Sequence, residues 1–286
     1  MRPPQGFRHH SGKRFTGWIR EGFSPPELLL EYPDKIGTLP GAEHLLDCEG
    51  RQIHRLPLGW KGGEHSCFTY YFTNGSLGRS FRRSYAFRSL QMSLRLQRHG
   101  FSTPDILAAC KRRGERLNWT GLLVAAEIQS VWELPSAGRH VFQIHHAIDL
   151  SDELAAALGR YLASLHGVGF FHGDLKSRHI LVSRQPESPS FHLVDLEKSL
   201  YLPRVPASLK VILASRDLVQ LFASLPGATD HESKARLILE SYLQSTTLNN
   251  QHKKRLKKLT SLYGKQGSFR QGRTLLENLI GLLRRD

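Results

Sequence analysis

Cysteine is scarce in this chain and is not spaced to bind metal. Cys48, Cys67 and Cys110 are scattered and odd in number, which excludes a disulfide framework and a cysteine-built zinc site and predicts reduced thiols. No run approaches 18 uninterrupted apolar residues, so no membrane-spanning helix is expected. The N-terminus, MRPPQGFRHHSGKRF, is basic but lacks the apolar stretch of a secretory signal, and a cytoplasmic location is expected. Zinc-finger spacing, RNA-binding signatures, heptad zippers and internal repeats are also missing, so nucleic acid would rest on charge alone and is disfavoured as a partner. Two local absences are sharper. No acidic residue lies between Glu64 and Asp105, and no lysine lies between Lys61 and Lys111.

What the chain does have is positive charge, a net +15 over 286 residues. That excess calls for an anionic partner, such as phospholipid headgroups or a phosphorylated glycan. The 40% of hydrophobic residues suffices for a buried core. Of the 15 histidines, only His9-His10 and His145-His146 are adjacent, which argues against a metal store.

The chain is organised around Phe171 to Ser183, FHGDLKSRHILVS, and its companion HLVDLE at His192 to Glu197. The spacing His172-x-Asp174-x-Lys176-x-x-His179, followed by Asp195 at a strand end, outlines a phosphoryl-transfer site. Asp174 would orient and deprotonate an attacking hydroxyl, with His172 opening the catalytic triplet. Lys176 would neutralise charge on the transferred group. Asp195 would hold a divalent metal, and His179 occupies the place where kinases have a metal-binding asparagine. Each residue alone has a plainer reading as a turn, cap or strand-end group, but their joint occurrence between an amphipathic helix and an apolar strand does not.

Elsewhere the pattern predicts an α+β chain. Residues 1–24 read as a flexible basic lead-in, 25–128 as a small β-rich lobe and 129–286 as a mainly helical lobe carrying the catalytic loop. Strand-like IHRLPLG from Ile53 leads into the glycine-rich turn GWKGG at Gly59 to Gly63 and the strand CFTYYFT at Cys67 to Thr73. Lys61, Gly62 and Gly63 of that turn are candidates to cover nucleotide phosphates, although a plain hairpin turn fits equally well. A helix is predicted over Ser84 to Gly100, then strands at Ile106 to Cys110 and Leu122 to Ile128, with Glu127, a further candidate for binding the nucleotide, where the chain enters an interlobe hinge. Ser151, Asp152 and Glu153 suit the start of a helix reaching His166. Further helices are expected from Arg216 onward and over about His231 to Gln244. Gln251 to Lys258 reads as a solvated charged face, and TLLENLIGLLRRD as an amphipathic end that packs on the core or lies on a membrane.

From about Cys67 to Leu243 the sequence resembles the lipopolysaccharide kinase (Kdo/WaaP) family, most nearly its heptose kinases. The resemblance rests on FRRSYAFRSLQMSLRLQRHGFSTPDIL, LHGVGFFHGDLKSRHILV, FHLVDLEKS, SRDLVQLFASL and ARLILESYL. It implies a bilobal protein-kinase-like fold and ATP-dependent phosphorylation of a heptose or Kdo hydroxyl of the lipopolysaccharide inner core. It also implies magnesium and work at the cytoplasmic face of the inner membrane. Because manganese accepts imidazole nitrogen more readily than magnesium does, His179 in the asparagine position would tilt the site toward manganese unless it only hydrogen-bonds the loop. By the same resemblance Asp217 braces the catalytic loop from below. The family's nucleotide-binding lysine belongs in CFTYYFT and its glutamate partner in the following helix, and both are absent. Lys61 or the arginines Arg79, Arg82 and Arg83 are the candidate substitutes. The alternative to an active kinase is a pseudokinase that binds nucleotide or glycolipid as a scaffold.

Overall fold

The computed structural model of the chain describes residues 3–48, 50–73, 84–113, 120–136, 148–184, 189–225 and 231–264. The chain divides into two compact units. One is built chiefly on Met1–Val131 with the returning segment His192–Glu197, the other on His145–Phe191 and Lys198–Asp286.

The first unit runs β1 (Phe7–Ser11), β2 (Phe15–Arg20), the short helix α1 (Glu27–Glu31), β3 (Glu43–Cys48), β4 (Arg51–Trp60), β5 (Gly63–Phe72), α2 (Tyr85–Arg98), β6 (Ile106–Arg112) and β7 (Gly121–Ala126). All seven strands form one antiparallel sheet in the order β1-β2-β6-β7-β5-β4-β3. Alternating side chains build a core on each face, as the two-residue period of a strand requires. Leu56, Leu58, Cys67, Leu122 and Val124 pack under Leu29, Leu30 and Ile36. On the opposite face Phe72, Leu123, Ala125 and Ile106 meet Ala86 and Leu90 of α2. Helix α2 buries Ala86, Ser89, Leu90, Met92, Ser93 and Leu96 at helical spacing, and Gly100 ends the run at φ +78°.

The N-terminal stretch is not a flexible lead-in. It supplies β1 and β2, because Phe7, Phe15, Trp18 and Ile19 are all buried against the sheet. The basic residues that obscured this pattern, Arg8 and His9, lie exposed on the outermost strand, where charge discourages further strand pairing.

The chain continues through β8 (Val131–Glu133), α3 (Asp152–Gly167), β9 (Phe170–Phe171), β10 (Ile180–Arg184), β11 (Pro189–Leu193), β12 (Leu200–Tyr201), α4 (Ala207–Ser224), α5 (His231–Ser245) and α6 (Asn250–Gly264). Small sheets form in the orders β11-β10-β8 and β12-β9. Ser151 caps α3 as its position predicts, its hydroxyl accepting from the Leu154 N–H at 3.3 Å. Helices α3 and α5 approach so closely that a Cβ on Gly159 would sit 2.3 Å from the Ile238 carbonyl oxygen. Leu256 and Leu259 bury one side of α6 while Lys254, Lys257 and Lys258 stay exposed, so the charge run is a solvated face. Arg79, Arg82, Arg83 and the C-terminal TLLENLIGLLRRD lie outside the described residues. Among the described residues no helix is long and apolar enough to cross a membrane.

Candidate active site

The loop that carries Asp174 hangs from one face of α4. Asp217, Gln220 and Ser224 recur at i, i+3 and i+7, so they share a helical stripe. Asp217, fully buried, accepts the backbone N–H groups of His172 at 2.7 Å and Gly173 at 2.8 Å. The Gln220 side-chain oxygen accepts the Leu175 N–H at 3.2 Å, and the Ser224 hydroxyl accepts the Ser177 N–H at 2.7 Å. Three helix side chains thereby satisfy four loop N–H groups that would otherwise be stranded without water. Asp217 also lies 3.3 Å from His166 Nε2, whose Nδ1 meets the Tyr242 hydroxyl at 3.0 Å. Gly173 has φ +78°, and a Cβ there would stand 2.5 Å from the Lys198 carbonyl oxygen, so only glycine fits.

This scaffold presents Asp174 between two cations. Lys176 Nζ lies 3.0 Å from one carboxylate oxygen and Lys198 Nζ 2.7 Å from the other. Burial pushes the Asp174 carboxyl up, but Lys198 and then Lys176 outweigh it and hold the group well below the usual carboxylate range. Lys198 was not anticipated, although it stands only three residues beyond Asp195 in DLEK. His172 is fully buried, with its ring stacked on that of His179 at 5.6 Å, so it serves the floor of the loop. His179 Nδ1 donates to the Asp174 carbonyl at 2.8 Å, and its Nε2 accepts from Arg178 Nε at 3.3 Å. Both ring nitrogens are thus engaged within the loop.

The first unit holds the second constellation. Asp195 adopts φ +60°, a left-handed conformation that costs a non-glycine residue about 1–2 kcal/mol. Such strain tends to be retained at functional positions. Arg51 Nη2 donates to Asp195 at 3.0 Å and to Glu197 at 2.5 Å. Burial works against the Arg51 charge, but Asp195 and Glu197 outweigh it and keep the guanidinium protonated.

The glycine turn does not reach this constellation. GWKGG is a two-residue hairpin turn between β4 and β5, with Trp60 paired to Gly63 and positive φ at Lys61 (+51°) and Gly62 (+78°), the signature of a type I′ turn. Because β3 precedes β4, GWKGG joins the second and third strands of the β3-β4-β5 run, and the turn between the first two passes through Gly50 instead. Lys61 and Arg51 stand at opposite ends of the ten-residue β4, about 30 Å apart at the rise of a strand. Lys61, Gly62 and Gly63 are therefore not beside Asp195. Lys61 instead sits over the Trp60 ring at 4.2 Å, 4.0 Å from Asp105. Glu127 is also committed locally, its carboxylate taking Arg55 Nε and Nη2 at 3.0 Å each and its N–H donating to the Ser66 carbonyl at 2.9 Å.

Among the described residues no cluster of three or more His, Cys, Asp or Glu side chains could hold a metal ion. A divalent cation would rest chiefly on the Asp195 carboxylate, an oxygen donor suited to a hard ion.

An antiparallel sheet and helix unit, a helical unit, an Asp-bearing loop hung from a buried helix aspartate, and a strained aspartate after a strand together define a protein-kinase-like α+β protein. The comparisons narrow this class. The Lipopolysaccharide kinase (Kdo/WaaP) family profile matches residues 70–235, and the chain belongs to that family. It is 28% identical over 145 residues to the 3-deoxy-D-manno-octulosonic acid kinase of Actinobacillus succinogenes, an overlap of 48% of this chain and 58% of that relative. Among solved structures it is similar to WaaP in complex with acyl carrier protein, at 18% identity and TM-score 0.56, covering 82% of this chain and 90% of the other.

Proposed function

We propose that this chain transfers the γ-phosphoryl group of ATP to a sugar hydroxyl, of heptose or Kdo, in the lipopolysaccharide inner core at the cytoplasmic face of the inner membrane. The observation that carries this reading is Asp174, ionised and held between Lys176 and Lys198 on a loop fixed by Asp217, in a chain of a lipopolysaccharide kinase family. The sugar oxygen attacks the γ-phosphorus, and its O–P bond forms as the bond to the β–γ bridging oxygen breaks. ADP leaves, and the hydroxyl proton passes to Asp174. A carboxylate held this far below its usual range is a weak base, so Asp174 first orients the hydroxyl and takes its proton late. The two lysines lower the cost of charge on the transferring group. Magnesium or manganese would be held by the Asp195 carboxylate and would neutralise the nucleotide phosphates. His179, the other candidate ligand, would be open to a metal only with its Nε2 released from Arg178.

The specific test uses two acceptors stripped of phosphate, one ending in Kdo and one carrying heptose, each incubated with the protein, ATP and magnesium. The reading expects one added phosphate on one of them by mass spectrometry; no gain on either overturns it.

A second reading is favoured by β5, which has no lysine, and α2, which has no acidic residue. It makes the chain a pseudokinase that binds nucleotide or glycolipid without transfer.

A further inference from the structure

The ion pair that grips the α- and β-phosphates in kinases joins a lysine on the third strand to a glutamate in the following helix. Neither β5 nor α2 supplies its half here. The sheet face that carries α2 nevertheless has a sequestered cation. Arg51 pairs directly across from Phe72, so both side chains project from the same face. Phe72 packs with Ala86 and Leu90 of α2, which identifies that face. The Arg51 guanidinium lies over the Phe72 ring at 5.4 Å and the Tyr70 ring at 5.9 Å. It thereby covers the part of β5 from which a strand lysine would project. A carboxylate partner is also present, since Glu197 follows Asp195 by two residues and its side chain is 13% exposed.

Building on the kinase reading above, we propose that Arg51 is the cation that binds the nucleotide phosphates and that Glu197 is its anchor. The pair has moved, the cation from β5 to the adjoining β4 and the acid from α2 to the segment after Asp195. Among the described residues both Arg51 hydrogen bonds run through Nη2, so the Nε and Nη1 N–H groups of the planar fork are offered to phosphate oxygens. When Asp195 turns to a metal ion, Glu197 keeps the guanidinium in place. The neighbouring arginine on the same strand, Arg55, is excluded because its Nε and Nη2 are both committed to Glu127. Lys61 is excluded by its place at the far end of β4.

Calorimetric titration of the full chain with magnesium-ADP and, separately, with adenosine tests this. In Arg51→Gln the affinity for ADP should fall by about 10- to 100-fold, the range of one or two hydrogen bonds to a charged group, while adenosine binding changes less than about twofold. Glu197→Gln should show the same pattern more weakly. Arg51→Lys, which keeps the charge on a shorter stem and guards against misfolding of the glutamine variant, should lie between wild type and Arg51→Gln for ADP. Unchanged ADP affinity in the Arg51 variants, or equal losses for ADP and adenosine, would overturn the proposal while leaving the kinase reading intact. Wild-type protein that binds neither ligand would overturn both.

Discussion

Lys198 Nζ lies 2.7 Å from Asp174 Oδ2, which makes a half-exposed lysine just beyond the second aspartate a direct partner of the first. With Lys176 on the other oxygen, Asp174 is ionised throughout the range in which an enzyme works. Its folded pKa is depressed, so the stability this contributes is present above the unfolded value of about 4 and is lost as pH falls below it. Turnover should therefore show no acid limb from Asp174 at pH 5 or above. Lys198→Met removes the nearer cation and should raise the carboxyl's pKa, seen by carbon NMR of labelled aspartate. An unchanged titration would mean that Lys198 does not hold Asp174 in solution.

Asp217 is the brace whose loss the loop should feel most. Asp217→Ala strands two buried N–H groups, each costing about 1–3 kcal/mol, so urea unfolding should show a loss of about 2–6 kcal/mol. Asp217→Asn retains one acceptor oxygen and should cost less than the alanine change. An alanine variant as stable as wild type would show that the loop is held some other way.

His179 spends both ring nitrogens on its own loop. His179→Ala should accordingly lower turnover with magnesium and manganese by the same factor. A manganese preference in wild type that vanishes in the variant would make His179 a metal ligand.

Burial pushes the Cys67 and Cys110 thiols up to about 12. A raised thiol pKa favours the neutral form in the folded state, so its contribution to stability is complete below the unfolded value of about 8.5 and declines as pH rises toward 12. Iodoacetamide at pH 8 should leave the peptides bearing these two cysteines unmodified in native protein and modify both in urea, as read by mass spectrometry. Rapid native labelling of either would place it outside the core.

The net charge of +15 and the exposed lysines of α6 predict binding to anionic vesicles that weakens steeply from low to physiological salt, because exposed charges are screened over about 8–10 Å. Salt-insensitive cosedimentation would point to apolar insertion instead.

Much of this arrangement was legible because its signals are local. Ser151 reads as a cap from its place before acidic residues and an apolar stripe, and α2 reads from its spacing and Gly100. Asp174, Lys176 and His179 stand within six residues of one another, so their spacing alone suggested that they share a loop. What stayed hidden depends on pairing across the sheet. Arg51 meets Asp195 only because β4 is registered against β5 and the chain returns after β11, a separation of 144 residues that no spacing rule spans. Strand β1 was missed because an edge strand with one buried aromatic among basic residues has no clear alternation, and β2 because Phe15, Trp18 and Ile19 are buried on both faces and break the two-residue period. GWKGG stayed open between a phosphate cover and a plain hairpin because a glycine turn between strands has the same composition whichever pair of strands it joins.

The central claim is phosphoryl transfer that depends on Asp174. It is tested most directly by following γ-labelled ATP into dephosphorylated core lipopolysaccharide with wild type and Asp174→Asn side by side. The account predicts label in the glycolipid with wild type and roughly 100-fold or more slower transfer by the variant, at unchanged magnesium-ADP affinity. Nucleotide binding without transfer by wild type in either metal, or equal transfer by both proteins, would contradict it.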